Sequence, residues 1–430
     1  MQKFFDRDNF LEETLNILEI EDFGGAWALP KSTYGNTVIC VSVASGSLNE
    51  PIVEDSEGIA HFLEHRLFWQ NGKDVSDMFA DLGVEINACT GLSSTEFTLI
   101  GSGDEELCSA IGLLFQTIFQ PSWSMVGIEK EKDIIGHELD LYKDDPGWIG
   151  YYAALKSVYG SKRIAGEIAG TNSQLAKINL PKLKYWHELF YHPSNAMMFI
   201  SGNSDIEKLF RVIGDSVNTF KRCQSSSTYK WGQSSYEKYI PSEQADFNQI
   251  ENLSIARPQV FLVFPLGVSF LNSKSLLRTE IALELALDIL FGPSGLVYEK
   301  LYTNGLISGN GIDYETQVDS NYGFVMVSGD TDFPNELCDL IYDSIRDLLN
   351  NDLWKIDLDR ARKKALGTLV RSYESSEGCV DLLQFVESVG GRPSIYTHAL
   401  INVTADEVAE IISVCLNGIK KRGAVLMPRI

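Results

Sequence analysis

One short string in this 430-residue chain combines residue types and spacing suited to metal chemistry: His61-Phe62-Leu63-Glu64-His65. On a helix, positions i, i+3 and i+4 share a face, so both imidazoles and the carboxylate project the same way. Two histidines one turn apart can take two corners of a tetrahedral zinc site. The carboxylate between them then stands beside the metal's open position, where a water would sit. Zinc draws the pKa of such a water towards about 7, and a neighbouring Glu can accept its proton and pass it to a leaving amine. With six histidines in the chain, chance yields this string only about 0.006 times per sequence.

A catalytic zinc takes three protein ligands. The other histidines, His137, His187, His192 and His398, form no second pair at ligand spacing. The segment GIEKEKDIIGHELDLYK from Gly127 reads as a helix stopped by DDPG. Within it Glu131 and Glu138 are seven apart, on one face two turns from each other, and either completes a His₂Glu set. The bland alternative for Glu129, Glu131 and Glu138 is a solvated acidic face. His137 points about 100° away from its neighbour Glu138 and is read as a packing or surface residue. Cys89 has no activating base nearby in sequence and reads as a small strand residue. FGPSG and SGNG lack phosphate-loop spacing and read as turns, and G-x-S-x-G is absent.

The elements that must hold these residues follow from periodicity. NTVICVSVASGS from Asn36 alternates as a strand, and GIAHFLEHRLFW from Gly58 is apolar at helical spacing. GVEINACTGLSSTEFTLIG reads as a strand pair and EELCSAIGLLFQTIF as an amphipathic helix. A similar order returns later: strand ARPQVFLVFPLG, helix LLRTEIALELALDILFG, strand NYGFVMVSGDT, helix NELCDLIYDSIRDLLN, then IDLDRARKKALGTLVRSYE in place of the polar helix. The stretch from Cys223 to Asn252 is rich in Ser and Gln and has no apolar period. The expectation is an α+β chain with two homologous-looking domains, 1–224 and 253–430, joined by a linker at 225–252. Each domain is expected to be a mainly antiparallel sheet with helices on one face.

These residues and segments resemble the M16 family of zinc peptidases, which includes pitrilysin, insulin-degrading enzyme and the mitochondrial processing peptidase. The family's pattern is H-x-x-E-H, the inverted zincin arrangement, then a distant pair of glutamates seven apart. The 72 residues between His65 and Glu138 are slightly fewer than that pattern carries, which a trimmed surface loop accounts for. The resemblance implies His61, His65 and Glu138 as zinc ligands, Glu64 as general base and Glu131 as an accessory carboxylate. It extends over essentially the whole chain. GVEINACTGLSSTEFTL is similar to a family strand that pairs with bound peptide, implying Asn87, Ala88 and Cys89 as substrate contacts. LFYHPSNAMMFISGNSD and FGPSGLVYEKLYTNGLISG are similar to further segments of small bacterial members, some of them peptide- or bacteriocin-processing.

In one respect the chain departs from the family. The family forms its chamber from four such domains, in one long chain or two short ones, and the partner half commonly supplies an Arg and a Tyr seven apart that clamp the substrate carbonyl. Here Tyr314 has Ile307 at the Arg position, which points to a second chain as the source of the clamp. A heterodimer with another M16-like subunit is therefore expected, with a homodimer as the alternative. The implied function is cleavage of extended peptides or leader segments, and the rival reading is a non-catalytic peptide-binding scaffold.

Composition bounds the rest. Thirty-six Lys+Arg against 59 Asp+Glu give a formal charge of −23, which argues against a nucleic-acid partner. No apolar run approaches the roughly 20 residues of a membrane span, and the N-terminal MQKFFDRDNFLEETLNILE lacks a signal-peptide core. Seven cysteines without C-x-x-C spacing suggest free thiols and a cytoplasmic location.

Overall fold

A computed structural model of the chain describes residues 1–70, 72–221, 229–233, 236, 238–242, 247–267, 276–295, 297–307, 311–350, 355, 357–416 and 420–429. Its strands are β1 (Gln2–Asp8), β2 (Glu13–Glu19), β3 (Ala26–Pro30), β4 (Thr37–Val43), β5 (Trp69–Gln70), β6 (Lys73–Asp74), β7 (Glu85–Thr90), β8 (Thr95–Gly101), β9 (Ala196–Gly202), β10 (Phe247–Leu253), β11 (Gln259–Pro265), β12 (Asp313–Val318), β13 (Gly323–Asp330) and β14 (Gly423–Pro428). The helices of the first half are α1 (Ile59–Phe68), α2 (Ser76–Ala80), α3 (Asp104–Phe119), α4 (Ile128–Tyr142), α5 (Pro146–Tyr159), α6 (Asn172–Leu175), α7 (Leu180–Phe190) and α8 (Ile206–Lys221). Those of the second half are α9 (Leu276–Phe291), α10 (Tyr298–Thr303), α11 (Pro334–Asn350), α12 (Leu358–Ser372), α13 (Ser376–Ser388), α14 (Pro393–Asn402) and α15 (Ala405–Leu416).

The chain forms two compact units, each drawing on three stretches of sequence. Unit 1 is 1–139, 167–236 and 370–385; unit 2 is 140–166, 237–369 and 386–430. The sequence-based division into consecutive stretches does not anticipate this exchange, by which 140–166 joins the later sheet and 370–385 the earlier one. The expected linker needs a correction as well. Phe247–Asn252 belongs to β10, which pairs in parallel with β14 from Phe247↔Gly423 onward. Its polar sequence hides it, because its pattern is mostly solvent-facing and its partner lies far along the chain. Residues 225–228, 234, 235, 237 and 243–246 of that linker lie outside the described residues.

Among the described residues unit 1 is built on a sheet ordered β1-β2-β3-β9-β4-β8-β7, antiparallel except where β3 meets β9. α1, α3, α7 and α8 form one layer on it. Unit 2 is built on β10-β14-β11-β13-β12, with α9, α11 and α15 packed together. This is the expected pair of mainly antiparallel sheet-plus-helix halves.

Both sheets are also covered on the second face. β4 is buried at every residue and β11 at all but its ends, and a strand with no polar alternation needs apolar cover on both sides. In β11 the Phe264 ring lies 5.0 Å from Tyr342 of α11, whereas Phe261, of opposite parity, sits against Gly150 of α5. A Cβ at Gly150 would lie 2.1 Å from that ring, so only glycine admits α5 there. In unit 1 the second face bears Glu96 and Ser201, which meet Gln384 and Cys379.

Candidate metal centre

The helix carrying the HxxEH string is divided by its own periodicity. Ile59, Ala60, Phe62, Leu63 and Leu67 of α1 are fully buried. Each large one stabilises the packing by about 1.5–3 kcal/mol. His61, Glu64, His65 and Phe68, at i, i+3, i+4 and i+7, form the opposite stripe and are only partly covered. α1 starts at Gly58, whose φ is 87° and whose Cβ would meet the Ala169 carbonyl oxygen at 2.5 Å. That left-handed, crowded position favours glycine and fixes where the helix begins.

α4 faces this stripe. Its buried residues are Ile128, Glu131, Ile135 and Leu139, an apolar stripe with one acid in it. His61 Nε2 lies 3.7 Å from Glu138 Oε1, and His65 Nε2 lies 3.6 Å from Glu138 Oε2. On its other nitrogen, His65 Nδ1 stands 3.6 Å from Glu131 Oε2. One ligand atom from each of His61, His65 and Glu138 falls within 4.8 Å of the other two. An ideal tetrahedral zinc site with bonds of about 2.0–2.1 Å has donor separations of roughly 3.3 Å. The two histidine–Glu138 pairs, at 3.7 and 3.6 Å through different carboxylate oxygens, stand a few tenths of an ångström above that value, and two imidazoles with one carboxylate are an ordinary zinc donor set. The residues fit the metal.

Glu64 is held from the sheet. Thr90 Oγ1 donates to Glu64 Oε2 at 2.6 Å, and burial raises the Glu64 pKa despite that bond. Burial, together with the neighbouring His65, brings His61 down to about 4, leaving the neutral ring that binds metals. Burial pushes His65 down too, but the carboxylates Glu131, Glu138 and Glu64 outweigh it and lift that ring to about 9.

Beside the stripe opens a cleft of about 390 Å³, bounded by Glu64, His65, Phe68, Trp69, Ile86 and Glu131, among others. Asn87 and Ala88 also line it, on β7, the edge strand of its sheet. Ala88 shares the face of Ile86 and Thr90, while Asn87 and Cys89 project from the opposite, exposed face. Tyr314 lies in unit 2, where its hydroxyl donates to Asp288 at 3.2 Å. Leu296 and residues 308–310 of the FGPSGLVYEKLYTNGLISG segment lie outside the described residues. His187 and His192 are buried and bonded to Ile118 and Ser194, and His137 and His398 are exposed. Thr90 and Arg66 were not singled out from the sequence. Thr90 had one available signal, its place two residues after Ala88 on the same strand face.

The model for the insulinase family, peptidase family M16, matches residues 28–171, and the model for the peptidase M16 inactive domain matches 177–365. Together they take in the HxxEH stripe of α1, the edge strand, α4 and most of the later sheet. The chain belongs to peptidase family M16. The chain is 28% identical over 380 residues to the "uncharacterized zinc protease YmfH" of Bacillus subtilis (strain 168), across 85% of this chain and 86% of that one. In fold it is similar to a structure described as an M16-like peptidase from Alicyclobacillus acidocaldarius. The TM-score there is 0.83 at 21% identity, covering 97% of this chain and 98% of the other. Against pitrilysin the TM-score is 0.76 at 16% identity, with 100% of this chain matching 46% of that one. No helix among the described residues of this M16 chain is long and apolar enough to cross a membrane.

Proposed function

We propose that this chain is a zinc-dependent metalloendopeptidase that cleaves extended peptides or leader segments. The observation that carries the proposal is the convergence of His61, His65 and Glu138 within 4.8 Å, with Glu64 on the same helical stripe and an open cleft beside them. Zinc, when bound there, supplies a Lewis acid that polarises a peptide carbonyl and acidifies a water. His61 Nε2, His65 Nε2 and the Glu138 carboxylate would hold it. Glu64 accepts a proton from the attacking water and returns it to the amine nitrogen as the C–N bond breaks. Thr90 keeps the Glu64 carboxylate aimed. Glu131 faces the far nitrogen of His65 and orients that ring, the arrangement by which a carboxylate behind a ligand histidine strengthens a metal site.

Substrate would bind as a strand along β7, through backbone hydrogen bonds that tolerate many side chains but require an extended segment. The match to 46% of pitrilysin supports reading the chain as half of a peptidase chamber, the other half coming from a second M16-like subunit or a second copy. Glu64→Gln tests the chemistry. Zinc stoichiometry should stay at one per chain while peptide cleavage falls by about 10²- to 10⁴-fold. Retained cleavage in E64Q overturns the mechanism, and a wild-type chain that binds no zinc favours the scaffold reading instead.

A further inference from the structure

Arg66 follows the ligand His65, yet it faces away from the cleft and is only 2% exposed. A guanidinium keeps its charge at any working pH, so this is a buried cation, and burying one uncompensated costs several kcal/mol. Its hydrogen bonding is sparse. Nη2 donates to the Ser124 carbonyl at 3.1 Å, while Nε and Nη1 are buried with no hydrogen-bond partner in the structure. The opposing charge comes from Glu131, itself 5% exposed on the apolar stripe of α4.

Both ends of that relation lie at the metal centre. Ser124 belongs to the segment that leads into α4, the helix bearing Glu131 and Glu138. Trp69, three residues after Arg66, grips the same segment: a Cβ at Gly127 would lie 2.7 Å from its ring, and the Lys130 ammonium sits 4.3 Å from the ring centroid. Charge points the same way. Glu64, Glu131 and Glu138 carry acidic groups at this centre, and Arg66, with Lys130 at the cleft, is among the cations that face them.

We propose that Arg66 is a positioning residue for the metal centre, anchoring the Ser124 segment through its hydrogen bond and opposing the Glu131 charge without touching it, so that α4 presents Glu138 at ligand distance from His61 and His65. The inference rests on the zinc-site reading above. Its sign is informative, because deleting a positive charge near a cation site would by electrostatics alone tighten zinc.

The test is zinc affinity by chelator competition on the full chain, in the wild type, R66M, R66K, E131Q and R66M/E131Q, with circular dichroism as the check of folding. R66M should weaken zinc by about 10- to 100-fold, the range for residues that orient metal ligands. R66K should recover much of that loss, and R66M should cost less in the E131Q background than in the wild type. If R66M does not fold, R66Q, which keeps a donor without the charge, takes its place. Unchanged or tighter zinc in the folded variant overturns the proposal, as does an equal loss in both backgrounds. A wild type without zinc would overturn the metal-site reading itself, whereas zinc-binding wild type with an indifferent R66M overturns this inference alone.

Discussion

At the residue scale, the candidate site depends on hydrogen bonds from groups that carry no chemistry of their own. The Thr90 hydroxyl bonds Glu64 from a strand, two positions beyond Ala88 on the same face. A bond to a charged acceptor is worth about 1.5–3 kcal/mol. Thr90→Val keeps the side chain's shape and removes the donor, so kcat should fall by roughly 10- to 100-fold with KM and zinc content nearly unchanged. Thr90→Ser should restore most of the rate. A T90V enzyme with wild-type kcat would show that Glu64 needs no support from the sheet. The HxxEH string was legible in the sequence because its three groups are local and helical spacing alone puts them on one face. Arg66 and Thr90 were not, because their roles depend on contacts with Ser124, Glu131 and Glu64, reached only after the sheet and α4 are in place. A trace of the Arg66 role was written in α4 nonetheless: Ile128, Glu131, Ile135 and Leu139 form a buried stripe, and an acid on such a stripe requires a compensating group.

At the element scale, the order strand–helix–strand–strand–helix–helix of β4-α1-β7-β8-α3-α4 recurs as β11-α9-β12-β13-α11-α12. Where the first set carries the proposed metal ligands, the second carries fixed charges. On α9 the acids Glu280, Glu284 and Asp288 follow one another at four-residue intervals and are all buried or nearly so. Asp288 accepts from Arg360 and Lys364 of α12, helix neighbours in the place corresponding to the α4 glutamates, and from Tyr314. Tyr396 donates to Glu284 at 3.2 Å, and Thr316 donates to Glu280. Burial, aided by the Glu284 charge and opposed by the Thr316 bond, raises Glu280 from 4.5 to about 7. An acid whose pKa rises on folding takes up a proton, so its cost is absent below the unfolded value, grows between 4.5 and 7, and is complete above 7. Glu280→Gln should therefore stabilise the chain by up to about 3 kcal/mol at pH 8 and by almost nothing at pH 4. Urea unfolding at the two pH values measures this, and an equal effect at both would refute the burial argument. Periodicity found the helices and inner strands of both sets, because their apolar faces repeat. It passed over β10 and α5, whose pairing or cover comes from distant parts of the chain, and over the β1–β2 hairpin, whose outer strand is mostly solvent-facing.

At the scale of the whole molecule, the exchange of 140–166 and 370–385 between units limits what any reading by consecutive segments can recover. A break in composition marks where polar residues cluster, whereas a unit is defined by which sheet a helix covers. α5 follows α4 without an obvious linker, and yet it packs on the later sheet. The charge of −23 is a property at this scale too, and it has a consequence for the proposed activity. A strongly negative molecule with glutamates around its cleft draws cationic peptides inward through its long-range field. At an ionic strength of 0.01 M that field reaches about 30 Å from the surface, and at 0.15 M only about 8 Å. For a Lys- and Arg-rich extended peptide, kcat/KM should fall by about tenfold or more between these two conditions. It should change little for a neutral peptide of the same length and rise for an acidic one. The three peptides separate steering from any general effect of salt on the fold, since loss of structure would depress all of them together. Parallel salt curves for cationic and acidic substrates would show that the net charge serves the solubility of this chain and has no part in choosing what it cleaves.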